Sequence, residues 1–122
     1  MALPEPPDDA FEAVATTGDL APNQLKRVEY RGQPVCLVHA NRRYYALSNV
    51  CAHQNIALSM GRLFRGQLVC PGHAWMYDLE TGRVTFPKGI DARVRCYAVR
   101  VVGEQILIAP RPEPGGGAAP PS

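Results

Sequence analysis

Two cysteines and two histidines lie in two short segments of the chain, at a spacing that suits a metal site. The first segment reads Cys51-Ala52-His53, and the second, after a gap of sixteen residues, reads Cys70-Pro71-Gly72-His73. Each segment supplies one thiolate and one imidazole, and both groups bind metals. The four side chains together predict a Cys₂His₂ metal site held by two loops.

The ligand types leave two kinds of metal centre open. Structural zinc sites usually take a pair of Cys and a pair of His, each pair closely spaced in the sequence. One Cys and one His on each of two loops suits a binuclear cluster better, because one iron then takes both thiolates and the other both imidazoles. The pattern favours the cluster, and a structural zinc module acting as an interaction domain remains the alternative.

The second ligand segment continues into Trp75-Met76-Tyr77-Asp78. With this run, the ligand spacing resembles that of the Rieske family, in which two His replace two Cys on one iron of a 2Fe-2S centre. The likeness covers residues 11–109 and is strongest to the Rieske ferredoxins of multicomponent aromatic oxygenases, in particular of the toluene monooxygenase type. It implies a Rieske 2Fe-2S cluster. By this likeness Cys51 and Cys70 are the thiolate ligands of one iron, and His53 and His73 are the imidazole ligands of the other.

The same resemblance places five further residues around the cluster. Gly72 leaves backbone amides free to point at sulfur, and the hydroxyl of Tyr77 is a hydrogen-bond donor. Trp75 either covers the cluster or, as the stronger expectation, packs against the rest of the domain. Gln54 is expected either at the exposed rim of the cluster site or as an uninvolved surface amide. Pro87 is expected either in a third loop that shields the cluster or as an ordinary loop proline.

Departures from the high-potential, cytochrome bc-type branch of the family also carry information. That branch ties its ligand loops with a disulfide, but here the two corresponding positions hold Ile56 and Gly72. Its Ser near the cluster sulfurs is replaced by Trp75, whereas its Tyr is kept as Tyr77. With fewer hydrogen bonds to sulfur, we expect a potential at or below about 0 mV, in the lower part of a range of about −150 to +300 mV.

Short apolar or alternating runs with turn residues between them predict an all-β domain. We expect the Rieske fold, an antiparallel β-sandwich or partly open barrel with a small cluster-binding subdomain inserted at about residues 49–86. Residues 1–10 and the Pro- and Gly-rich residues 110–122 are expected to be loose. Strands are predicted at 11–15, 25–30, 35–39, 44–47, 67–69, 75–77, 94–102 and 105–108, and one helical turn at 18–24.

Composition excludes several classes of partner. The formal charge is +2 and is dispersed, which does not suit nucleic acid or an anionic membrane. The chain start lacks the features of a secretory signal, and no run is long enough to span a membrane, so a soluble cytoplasmic protein is expected. Cys36 and Cys96 lie in apolar runs and are expected to be buried free thiols.

By this resemblance the protein is an electron carrier and not itself an enzyme. It has no nucleotide-binding or nucleophile motif, and beyond the ligands only His39 remains as a histidine. The implied partners are a flavoprotein NAD(P)H reductase and a terminal oxygenase hydroxylase, both bound transiently by a monomer. A Rieske subunit of another redox complex, of the nitrite-reductase kind, is the other functional alternative.

Overall fold

The computed structural model describes residues 6–51, 56–72 and 74–111. Within them the chain forms ten β-strands and three 3₁₀ turns, which confirms the all-β prediction. The turns lie at Asp8–Ala10, Thr17–Asp19 and Leu58–Met60. The strands are β1 (Glu12–Thr16), β2 (Gln24–Tyr30), β3 (Gln33–Ala40), β4 (Arg43–Ser48), β5 (Arg62–Phe64), β6 (Gln67–Val69), β7 (Met76–Asp78), β8 (Val84–Phe86), β9 (Cys96–Val102) and β10 (Gln105–Pro110).

The strands form two antiparallel sheets. Six strands in the order β1-β10-β9-β4-β3-β2 make a nearly closed, barrel-like base. The other four, in the order β5-β6-β7-β8, make a small sheet that the chain inserts between β4 and β9. The predicted arrangement of a base with an inserted subdomain is therefore confirmed.

Strand β3 is buried on both of its faces and joins the two sheets. Val35 and Leu37 pack inside the base, whereas Cys36 and Val38 pack in a second core cluster with side chains of the small sheet. All four side chains have no exposed surface. Because successive strand residues point to opposite sides, the unbroken apolar run of β3 reflects this double coverage. The small sheet is thus fixed on the outer face of the base.

Three hairpins turn through two-residue loops. Their loop residues are Arg31-Gly32, Asn41-Arg42 and Arg65-Gly66, and both residues of each loop have positive φ, between 47° and 84°. Two left-handed residues in succession define the type I′ turn, whose twist matches that of the strands it joins. These turns set the register of β2–β3, β3–β4 and β5–β6.

Some elements differ from the sequence-based prediction. Strands β5 and β8 were not predicted, whereas the equally short β6 and β7 were, because a run of three residues is too short for alternation to separate a strand from a loop consistently. The helical turn expected over residues 18–24 is a 3₁₀ turn at Thr17–Asp19, in which the backbone N–H of Thr16 donates to the Asp19 carboxylate at 3.0 Å. The described part of the chain has no helix long and apolar enough to cross a membrane.

The predicted boundaries of the loose termini remain predictions. Residues 1–5 and 112–122 lie outside the described residues. Asp8–Ala10 form a turn against the base, where the hydroxyl of Tyr30 donates to the carbonyl of Ala10 at 2.7 Å. The guanidinium of Arg100 lies 3.1 Å from the Asp8 carboxylate.

Candidate metal centre

The two cysteine-bearing loops begin in the same way. The backbone N–H of Cys51 donates to the carbonyl of Ile56 at 3.0 Å, and that of Cys70 donates to the carbonyl of Trp75 at 2.7 Å. In each case the acceptor lies five residues after the cysteine. Each cysteine therefore opens a loop of the same length, closed by one hydrogen bond across its neck.

Strand pairing just outside each neck extends this equivalence. Val50 pairs with Ala57 in an isolated antiparallel bridge, and Val69 of β6 pairs with Met76 of β7. Both pairs are separated by the same number of residues, so the loops project from two matched hairpin ends. The local duplication that the ligand spacing suggested is thus present in the backbone.

The histidines of the motif belong to these loops. His53 and His73, together with Gln54, lie outside the described residues. The assignment of the two histidines as ligands stays a prediction. The placement of Gln54 at the rim of the site also stays a prediction. Since His53 lies two residues after its cysteine and His73 three, the two loops are matched in length but differ in where they carry the imidazole.

Cys51 and Cys70, the two predicted thiolate ligands, both lie in the protein interior. Cys51 is 4% exposed and Cys70 is 1% exposed, and both belong to the core cluster that joins the base to the small sheet. Neither forms a disulfide within the described residues. Both thiols therefore lie in the same buried core cluster, at the start of two matched loops, and thiolates are the ligands that an iron–sulfur cluster takes from cysteine.

Each of the two sulfurs also has a hydrogen-bonding group beside it. The hydroxyl of Tyr77, a fully buried residue of β7, lies 3.0 Å from the Sγ of Cys51. The backbone N–H of Gly72 points to the Sγ of Cys70 at 3.5 Å. Donors stabilise negative charge on a thiolate that binds metal. The residues present therefore fit a 2Fe-2S cluster on its cysteine side, and the predicted surroundings Gly72 and Tyr77 are brought to it.

The other two predicted neighbours lie at the edge of this site. Trp75 is half-buried and packs against the core cluster, in line with the stronger of the two expectations for it, and its carbonyl closes the Cys70 loop. Pro87 follows a cis peptide bond with Phe86 at the end of β8 and is half-buried. A shielding role for Pro87 remains a prediction.

Asn49 is a buried neighbour of the Cys51 loop that the sequence did not reveal. It is 3% exposed and is the one polar residue among the buried side chains of the described part of the chain. Its side-chain Oδ1 accepts from the N–H of Ser59 at 2.7 Å, and its carbonyl accepts from the N–H of Leu58 at 2.7 Å. Asn49 thereby ties the start of the Cys51 loop to its return. An asparagine between two ordinary residues gives no sequence signal for this role.

The two remaining cysteines, Cys36 and Cys96, lie on strands of the base. Cys36 on β3 is opposite Leu47 of β4, which in turn is opposite Cys96 of β9, so a whole strand separates the two thiols. Neither forms a disulfide within the described residues; Cys36 is buried as predicted, whereas Cys96 is only half-buried, so its predicted burial is wrong. Burial raises the pKa of Cys36 to about 12, so its thiol stays protonated under physiological conditions.

An all-β base that carries a small inserted sheet, with two matched cysteine loops at its end, defines a small iron–sulfur protein. The chain belongs to the Rieske family, since the Rieske [2Fe-2S] domain matches residues 10–98. Its cofactor is a Rieske 2Fe-2S cluster. Family membership overturns the alternative of a structural zinc module.

Curated relatives of the chain include both small and large proteins. It is 28% identical over 116 residues to the ferredoxin component of the alkene monooxygenase system of Xanthobacter autotrophicus, covering 94% of this chain and 93% of that protein. It is 30% identical over 105 residues to human apoptosis-inducing factor 3, covering 86% of this chain. The match spans only 17% of the length of that human protein.

Solved structures with the same fold also include both small and large proteins. The ferredoxin of carbazole 1,9a-dioxygenase from Nocardioides aromaticivorans IC177 superposes with a TM-score of 0.76 at 33% identity, covering 84% of this chain and 99% of that one. The terminal oxygenase of the same system superposes with a TM-score of 0.78 at 25% identity, covering 87% of this chain but 31% of that one. The fold thus occurs both as a whole protein and as one domain of a larger chain.

Proposed function

We propose that this protein carries single electrons from a flavoprotein NAD(P)H reductase to the terminal oxygenase of a multicomponent oxygenase system. The observation that carries the proposal is the end-to-end match to small electron carriers. The chain covers 93% of the alkene monooxygenase ferredoxin, 92% of the biphenyl 2,3-dioxygenase ferredoxin of Rhodococcus jostii and 99% of the carbazole 1,9a-dioxygenase ferredoxin.

The protein's own residues hold and shield the cofactor, which when bound accepts and releases one electron. Cys51 and Cys70 supply thiolates from buried positions, and His53 and His73 would supply the imidazoles. The oxidised site is neutral, because two ferric ions are balanced by two sulfides and two thiolates. Reduction therefore adds the first net negative charge, and the Tyr77 hydroxyl beside Cys51 stabilises that charge.

The described residues contain no group of three or more His, Cys, Asp and Glu side chains that could hold a second metal. Of its three histidines, two belong to the cluster loops and the third is His39. The Nδ1 of His39 lies 3.0 Å from the carbonyl of Leu20, and its ring stacks on Tyr44 with centroids 4.2 Å apart. His39 is thus a structural part of the base, and one histidine does not make a mononuclear iron site. The oxygenase chemistry belongs to the partner.

A carrier must bind each of its two partners only briefly. We therefore expect a monomer with small, modest interfaces rather than permanent subunit contacts. The complex of reduced oxygenase and oxidised ferredoxin known for carbazole 1,9a-dioxygenase supports the oxygenase as one partner. The reductase partner, the cytoplasmic location and the monomeric state are part of the proposal.

Reconstitution tests the proposal directly. The protein is purified with its native cluster and mixed with NADH and with the reductase and oxygenase that co-purify with it from its native host. We expect oxygenase turnover that depends on the added carrier. A purified carrier that retains its cluster and is reduced, yet gives no turnover at any concentration, would disprove the proposed function.

A pair of cysteine variants links turnover to the cluster. Cys70→Ala removes a ligand, so we expect loss of iron, of brown colour and of turnover together. Cys96→Ala is the matched control, because Cys96 lies on β9, outside the two ligand loops, and this variant should keep its iron. Full two-iron content in Cys70→Ala would contradict the ligand assignment.

A further inference from the structure

Exposed apolar side chains gather on the small sheet beside the Cys70 loop. Met60, Phe64 and Phe86 are 76%, 44% and 52% exposed. Phe64 and Phe86 line a shallow hollow of about 200 Å³ together with Met76. We call Met60, Phe64, Met76 and Phe86 the Phe64 flank. Apolar surface gathered in one place on a monomer commonly marks a binding site.

The Phe64 flank continues without a break to the Cys70 loop. A second hollow, of about 280 Å³, is lined by Met60 on one side and by Cys70, Gly72 and Ala74 on the other. Arg62 lines both hollows. A partner seated on the flank would therefore also cover the loop that carries one of the ligand sulfurs.

Two positive charges accompany this apolar surface. The guanidinium of Arg65 lies over the Phe64 ring, 5.2 Å from its centroid, and Arg62 lies between the two hollows. Neither arginine is ion-paired within the part of the chain that the structure describes, whereas Arg43 pairs with Glu80 at 2.9 Å. Every described residue that lines the two hollows is neutral or basic. The charge that complements this surface is negative.

We propose that the Phe64 flank is the docking surface for the terminal oxygenase. The oxygenase surface that fits it carries apolar side chains beside carboxylates, which pair with Arg62 and Arg65. The oxygenase then contacts only one side of the molecule, the Phe64 flank next to the Cys70 loop. This inference rests on the proposed function, because it assigns the oxygenase partner to one face of the molecule.

Two double variants test the two components of the surface. Arg62→Gln with Arg65→Gln removes the charge, and Met60→Ser with Phe64→Ser removes apolar area. In each we expect the carrier concentration that half-saturates oxygenase turnover to rise about tenfold, with kcat unchanged. The effect of the charge variant should fade at high salt, whereas that of the apolar variant should persist. Iron content should equal that of the wild type in both variants, and so should the reduction potential of the apolar variant.

Matched controls lie on the base. Lys26→Gln removes an exposed charge from β2, and Val102→Ser removes an apolar side chain that is 57% exposed. Val102 ends β9, whose first residue, Cys96, faces Gly82 of the small sheet. The length of β9 places Val102 roughly 20 Å from that contact. Both controls should keep the wild-type half-saturating concentration.

The outcomes separate this inference from the proposed function. If the wild-type carrier supports no oxygenase turnover, the proposed function fails. If the wild type works and both double variants match it, the docking surface is refuted. Slower reduction by the reductase with unchanged transfer to the oxygenase would assign the flank to the reductase instead. A shift from dimer to monomer in sedimentation would assign it to self-association, and each of these results overturns the inference.

Discussion

The hydroxyl of Tyr77 lies 3.0 Å from the Sγ of Cys51, and Tyr77 is fully buried. The two residues are twenty-six positions apart and belong to different hairpins. A phenol is a stronger donor than a thiol, and a metal-bound thiolate is an acceptor, so the direction of the bond is fixed once the cluster is present. This contact provides a direct way to change the potential of the cluster without changing its ligands.

Tyr77→Phe should lower the reduction potential. The bond from Tyr77 strengthens when the cluster gains a negative charge, and its loss therefore destabilises the reduced state more than the oxidised one. A difference of about 1.4 kcal/mol between the two states corresponds to a fall of roughly 60 mV for a one-electron couple. Redox titration of the purified variant measures the shift, and its iron content should be unchanged.

Tyr30→Phe is the matched control for this prediction. Tyr30 is also buried, at 5% exposure, but its hydroxyl donates to the carbonyl of Ala10 at the far side of the base. Its removal should cost some stability and leave the potential unaltered. If Tyr77→Phe and Tyr30→Phe have the same potential as the wild type, the Tyr77 contact does not tune the cluster.

The sequence predicted the metal-binding residues of the site better than it predicted the strands that hold them. The Cys and His spacing indicated two ligand loops because metal binding restricts residue type and position together. The apolar run of β3 indicated a strand, but a run of this kind does not say what covers each face. Strands β5 and β8 have only three residues each, and their pairing depends on contacts with β6 and β7 that lie outside the local pattern.

Asn49 illustrates the same limit at the level of one residue, and it gives the second prediction. Asn49→Ala removes the acceptor of the Ser59 N–H and leaves that group unsatisfied in a partly buried position. We expect a loss of about 1–3 kcal/mol in the free energy of unfolding. Denaturant titration measures this loss, and amide hydrogen exchange should speed up at Ser59.

Ser48→Ala provides a control one residue away. The Ser48 hydroxyl accepts only a long bond of 3.4 Å, from the exposed N–H of Val50. Its loss should cost clearly less than the loss of the Asn49 side chain. Equal destabilisation by the two variants would mean that the buried Asn49 contact is not what holds the loop.

Gly61 is a position where any side chain collides with the backbone. A Cβ at Gly61 would lie 1.9 Å from the carbonyl oxygen of Val69, the residue that precedes Cys70. That carbonyl belongs to β6 and cannot move without disturbing the ligand loop. Gly61→Ala should therefore destabilise the protein by about 1–3 kcal/mol and reduce its iron content, both measurable on the purified variant.

Gly18→Ala is the corresponding control. A Cβ at Gly18 meets no atom within 4 Å, and its backbone is not left-handed. This variant should be as stable as the wild type or slightly more stable, since alanine restricts the unfolded chain. A Gly61→Ala protein with wild-type stability and iron content would show that β5 can move away from β6 at little cost.

The thiol of Cys36 should be chemically inert in the native protein. Its side chain has no exposed surface, and burial raises its pKa to about 12. Only the thiolate reacts with an alkylating agent, so at about pH 8 iodoacetamide should leave Cys36 unmodified while the fold is intact. Labelling should become fast only when the chain unfolds. Mass spectrometry of peptides after labelling measures the modified fraction of Cys36, with the denatured chain as the reference. Rapid labelling of Cys36 in protein that keeps its native circular dichroism would contradict the burial of this thiol.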